Sequence, residues 1–192
     1  MAQDWLTQPH PVVVIGGSSG SIEVLLKLLT GLHSPLRSAL IIVVHRRNTA
    51  DSTLGELLAL RTRIPLREVD EKEPIEAGVI YLAPADYHLL IETDFTFSLD
   101  DSEKINYTRP AIDVTFESAA GIYGSWLTGL LLSGANADGA NGLLAIRQAG
   151  GRALVQKPET ALVDFMPQQA IQQQAFDQLV DIDAMIAYIN GL

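Results

Sequence analysis

VVVIGGSSGS, residues 12–21, sets four consecutive apolar side chains against a turn of three glycines and three serines. An uninterrupted apolar run fits a strand buried on both faces, the kind found in a parallel sheet. The turn that follows admits three uses. It can cradle a phosphate, carry a nucleophilic serine, or simply reverse the chain.

Outward from this stretch, strands and helices alternate. Residues 21–32 (SIEVLLKLLTGL) place Ile22, Leu25, Leu26, Leu28 and Leu29 on one helix face. Residues 39–45 (ALIIVVH) are again too uniformly apolar for a half-exposed strand. A second helix is expected at 52–61 and a short strand at 66–69. From 79 to 99, VIYLAP, HLLIET and FTFSL read as short strands with tight turns, a hairpin insertion. A helix at 111–123, a buried strand in WLTGLLLS (126–133) and a helix at 138–149, closed by Gly150-Gly151, follow. Strand, helix, strand and helix are expected at 152–156, 164–173, 178–180 and 183–190. The class is α/β: a doubly wound, mostly parallel sheet flanked by helices, with a β-hairpin insertion.

Composition narrows the options. The chain has 192 residues, 47% hydrophobic and 19% charged, which suits one globular domain with a real core. It has no cysteine, so disulfides, thiolate zinc sites and cysteine nucleophiles are excluded. A net charge of −10 argues against nonspecific nucleic-acid binding. Residues 1–11 hold Asp4 and no lysine or arginine, unlike a targeting leader, and no apolar run approaches a membrane span. A cytoplasmic protein is expected. Arg46, Arg47, Arg61, Arg63 and Arg67 cluster in sequence, either as a solvated face or as a docking surface for an acidic partner. Trp5 and Trp126 are expected to pack.

For the first turn, the dinucleotide fingerprint needs glycine at its first, third and sixth positions, which Gly16 to Ser21 do not supply. Lys27 lies too deep in the helix for a Walker lysine, and no tyrosine is followed four residues later by lysine, as a short-chain reductase requires. Gly16-Gly17-Ser18-Ser19-Gly20 does satisfy G-x-S-x-G, which places a serine on a strained strand-to-helix turn. A nucleophilic serine needs a base, and the base an orienter. Of four histidines, only His45 closes a buried strand at the carboxyl edge; His10, His33 and His88 do not. Asp138 follows the WLTGLLLS strand, either as the orienter or as a helix N-cap. Ser18, His45 and Asp138 thus stand at the ends of three strands expected to be neighbours.

Several stretches in order resemble the catalytic domain of the CheB chemotaxis receptor methylesterases. The family's G-A-S-x-G-G is similar to residues 16–21, its strand-two histidine to His45, and its APG…H to LAPADYH (82–88). Its RPSVDVLF resembles RPAIDVTF (109–116), and its G-M-G-x-D-G-A resembles Gly134 to Ala140. GLLAIRQAGG and MPQQAI complete the likeness, which runs from Val12 to about Val180. It implies Ser18 as nucleophile, His45 as general base and Asp138 as its orienter. The implied reaction is demethylation of glutamate γ-methyl esters on methyl-accepting chemotaxis receptor helices, with deamidation of glutamines in some members. No metal or organic cofactor is implied. Ser19, Arg46, His88, Arg109 and Ala135 are the expected substrate contacts, with Arg109 alternatively anchoring its loop to Asp113.

Two departures stand out. Ala135 and Asn136 replace a methionine and a glycine of the family's aspartate motif, which motivates an alternative reading as a scaffold that kept the fold and lost efficient catalysis. Only eleven residues precede the first strand, so one catalytic domain (core about 12–190) is expected, without the family's usual receiver domain.

Overall fold

The structure, a computed structural model, describes residues 10–46 and 53–192. The apolar run becomes β1 (Val12–Gly17), all six residues buried. Successive strand side chains point to opposite faces, so Val12 and Val14 enter one core layer and Val13 and Ile15 the other. The layers are built by α1 (Ser21–Gly31), β2 (Ala39–Val44), α2 (Thr53–Ala59), β3 (Leu66–Glu68) and β4 (Ile80–Leu82), then β5 (His88–Ile91) and β6 (Phe97–Asp100). The second half runs α3 (Ile112–Tyr123), β7 (Leu127–Leu131), α4 (Ala140–Gln148), β8 (Arg152–Gln156), α5 (Phe165–Gln172), β9 (Gln178–Val180) and α6 (Ile182–Asn190).

Seven strands form one parallel sheet in the order β3-β4-β2-β1-β7-β8-β9. The chain winds outward from β1 on one side and returns to its other flank with β7, which makes the carboxyl end between them the topological switch point. Leu25, Leu28 and Leu29 of α1 and Met185 and Ile189 of α6 cover one face. Ile112 and Phe116 of α3, Leu143 and Ile146 of α4, and the hairpin β5–β6 cover the other.

Two expectations need correction. VIYLAP does not belong to the hairpin: β4 inserts between β2 and β3, and the antiparallel pair is β5 with β6 alone. Three residues carry too little periodicity to tell a fully buried central strand from one in a hairpin. Trp126 is 48% exposed rather than packed inside, and Trp5 lies outside the described residues.

Helices α3 and α4 cross closely because Gly142 carries no side chain. A Cβ there would lie 2.4 Å from Phe116 Cβ and 3.1 Å from the Asp113 backbone. Helix propensity favours Gly142→Ala by about 1 kcal/mol, whereas overpacking costs about 1–3 kcal/mol. Phe116 Cβ is fixed to its own helix backbone and cannot swing aside, so this clash decides the balance. Gly142→Ala is expected to lower the urea midpoint with an unchanged slope; an equal or higher midpoint would mean that the two helices separate freely.

Candidate active site

Parallel pairing brings the first two loops together. Gly17 of β1 stands opposite Val44 of β2, and the His45 amide donates to the Gly17 carbonyl at 3.2 Å. Ser18 and His45 therefore leave the sheet side by side. On the other flank, the Ser18 amide donates to the Ser133 carbonyl at 2.9 Å, tying the turn to the chain leaving β7. The buried Ser133 hydroxyl donates to the Ser19 carbonyl at 2.7 Å and accepts the Val163 amide at 3.0 Å. Gly20 has φ 82, and a Cβ there would stand 2.7 Å from Ser133 Oγ, so only glycine closes the turn before α1.

Asp138 is fully buried and heavily engaged. Its Oδ2 lies 2.7 Å from His45 Nε2 and accepts the Ile112 amide at 2.6 Å; Oδ1 accepts the Asp113 amide and Asn106 Nδ2, both at 3.0 Å. Thr108 Oγ1 approaches Oδ2 at 3.4 Å. The carboxylate thus sits at the N-terminus of α3, where free amides and the helix dipole favour negative charge. It does not cap α4, whose N-cap is Gly139. That service comes from Asp113 in the first turn of α3, whose Oδ1 accepts the amides of Gly139 (2.9 Å) and Gly142 (2.7 Å). Each helix start is capped by an aspartate from the other helix or from the turn leading into it. Asn106 Nδ2 spans the pair, donating also to Asp113 Oδ2 at 3.1 Å.

The structure joins His45 to Asp138, two residues 93 positions apart in the chain. It does not close the other half: among the described residues, the Ser18 hydroxyl makes no hydrogen bond. Such contacts are often loose in unliganded enzymes and tighten with substrate. With Nε2 engaged, Nδ1 is the imidazole atom left for proton transfer. A cleft of about 520 Å³ opens beside His45, lined also by Arg46, Asp86, Lys104, Tyr107, Thr108 and Arg109.

The expected substrate contacts divide. Ser19 and Ala135 are exposed on loops at this same edge. Arg46 reaches the cleft while bonding the Ala83 carbonyl and Glu68. Arg109 also lines it, but it is anchored by the Asp101 and Ser102 carbonyls and by Asp86 at 3.6 Å, not by Asp113. His88 is buried, with its ring nitrogens bonded to the Glu103 carbonyl and the Ala111 amide, so it braces the 103–111 loop from beneath and does not reach the cleft. Arg47 lies outside the described residues. Sequence reading missed Asn106, Thr108 and Ser133. Asn106 and Thr108 carry one local signal, their place immediately before the Arg-Pro pair of the 109–116 motif.

The two buried carboxylates differ. Burial pushes Asp138 up, but hydrogen bonds from His45, the Asp113 and Ile112 amides and Asn106 outweigh it and hold the group below its ordinary value. Burial dominates at Asp113, aided by the neighbouring Asp138 charge, and raises it to about 6 against the amides of Gly142 and Gly139. A raised carboxyl favours folding fully below its unfolded value of 3.8, and that contribution is lost as pH climbs through about 6. Asp113→Asn keeps an acceptor oxygen for α4 and removes the titration. From about pH 4 to about pH 6, wild type is expected to lose up to about 3 kcal/mol relative to this variant. Denaturation at stepped pH checks it; parallel curves would refute the assignment.

Comparison with known proteins agrees with this architecture. Residues 13–189 match the family model described as CheB methylesterase. A Leptospira interrogans protein with the provisional name protein-glutamate methylesterase/protein-glutamine glutaminase is 40% identical over 91% of this chain and 90% of its own length. Protein-glutamate methylesterase/protein-glutamine glutaminase 2 of Pseudomonas aeruginosa is 34% identical over 95% of this chain, which spans 53% of that protein. The crystal structure of the Thermotoga maritima CheB methylesterase catalytic domain superposes with a TM-score of 0.88 at 28% identity, covering 93% of this chain and 98% of that one. In sequence span and in fold, the chain belongs to the CheB methylesterase family.

Proposed function

We propose that the chain is a serine hydrolase that demethylates glutamate γ-methyl esters on methyl-accepting chemotaxis receptors, with Ser18, His45 and Asp138 as its triad. The observation that carries the reading is the 2.7 Å bond between His45 and buried Asp138, at the strand end adjoining Ser18. Asp138 holds the imidazole with its Nε2 proton directed inward, leaving Nδ1 to accept the Ser18 proton. Ser18 Oγ attacks the ester carbonyl carbon, and the carbonyl electrons move to oxygen. The Ser19 amide has no acceptor among the described residues and follows the nucleophile directly, the place of an oxyanion donor. Collapse expels methoxide, which takes the proton from His45 and leaves as methanol. Water then attacks the acyl-serine while His45 receives its proton, and glutamate is released.

Glutamine deamidation follows the same route with ammonia as the leaving group, in keeping with the relatives' double names. The Asn136 departure is accommodated: its Oδ1 accepts the Asp138 amide at 3.2 Å, an Asx turn that helps set the aspartate. The expected partners are the receptors' cytoplasmic helices, presented to the cleft at the carboxyl edge. Among the described residues, no helix is long and apolar enough to cross a membrane.

Methanol release from a methylated receptor preparation tests this reading. Ser18→Ala is expected to lose on the order of 10⁶ in turnover, and Asp138→Asn about 10⁴. A folded Ser18→Ala protein that releases methanol at the wild-type rate would remove Ser18 from the mechanism.

A further inference from the structure

Residues 105–108 form a two-residue turn. Ile105 and Thr108 exchange both backbone hydrogen bonds, at 3.2 and 3.0 Å, and the central residues Asn106 and Tyr107 have φ 53 and φ 65. Two left-handed residues in succession mark a type I′ turn, whose favoured sequence is Asn-Gly. Asn106 suits its place. Tyr107 does not, because a bulky side chain is disfavoured at positive φ, and at 97% exposure its ring gains no packing in return. Strain that the fold does not repay is a signature of function.

The turn is also firmly rooted. Asn106 grips Asp138 and Asp113, Thr108 Oγ1 bonds the Ile105 carbonyl, and Arg109 and His88 hold carbonyls of the approach at 102 and 103. The ring at its tip borders the cleft that contains His45. Beside it, Lys104 forms no ion pair with any described residue. We infer that Tyr107 is a substrate-recognition residue: its ring packs on the polypeptide flanking the reacting glutamate, held at fixed distance from the base by the Asn106 anchor. This rests on the esterase reading and adds to it the surface that selects a polypeptide over a small ester. An exposed ring with only two rotatable bonds loses little side-chain entropy on such contact.

Tyr107→Gly and Tyr107→Phe separate recognition from structure. Glycine relieves the left-handed residue, so its variant is expected to melt no lower than wild type. On methylated receptor it is expected to lose about tenfold in kcat/KM, mainly through KM, the size of a modest hot spot. Hydrolysis of p-nitrophenyl acetate is expected to hold, and Tyr107→Phe to retain receptor activity. Unchanged receptor kcat/KM in Tyr107→Gly would overturn the inference. So would equal losses on both substrates, which would assign Tyr107 to positioning Asp138. Wild type inactive on both substrates would instead defeat the esterase reading and this inference with it.

Discussion

Two buried carboxylates exchanged between two helix starts hold the site together. Asp113 belongs to α3 and caps α4; Asp138 precedes α4 and caps α3. A buried carboxylate without partners costs several kcal/mol, so neither helix can shift without exposing the other's amides and stranding its own acid. The exchange fixes the distance from α3 to the loop after β7, and that loop carries the acid bonded to His45. Because Gly142 lets the helices approach, the crossing and the caps are one construction.

The same pair explains how acids so close keep different characters. Asp138 collects His45, two amides and Asn106, and remains the ionised partner; Asp113 has two amides and a share of Asn106, and is pushed toward neutrality. One amide group stands between them, and it comes from the turn at the cleft mouth. The surface at the cleft mouth and the buried acid are therefore mechanically continuous.

Much of this was legible in the sequence because strand ends are where a parallel sheet keeps its chemistry. Ser18, His45 and Asp138 each close or follow an apolar run, so their placement at neighbouring strand ends follows from topology alone, and of their side chains the structure joins His45 to Asp138. Asn106, Thr108 and Ser133 have no such marker. They are ordinary polar loop residues, and their partners are set by a tertiary fold that periodicity does not describe. Asp113 was visible only as a possible mate for Arg109, since nothing local says that a helix's first-turn acid serves another helix. The placement of β4 escaped for a related reason: a three-residue strand announces burial but not its neighbours.

The position of β1 at the centre of the sheet has a consequence for synthesis. It is made before the other strands of this sheet, and β2 covers one of its edges early, but the other waits for β7, more than a hundred residues later. During that interval a wholly apolar strand presents open backbone groups, the arrangement that invites pairing with another chain. Arrival of β7 closes this edge and, through the loop behind it, delivers Asp138 to His45. A nascent chain therefore escapes its main aggregation hazard and gains its base–acid pair in the same step, so truncated products that stop before Leu131 have neither protection nor chemistry.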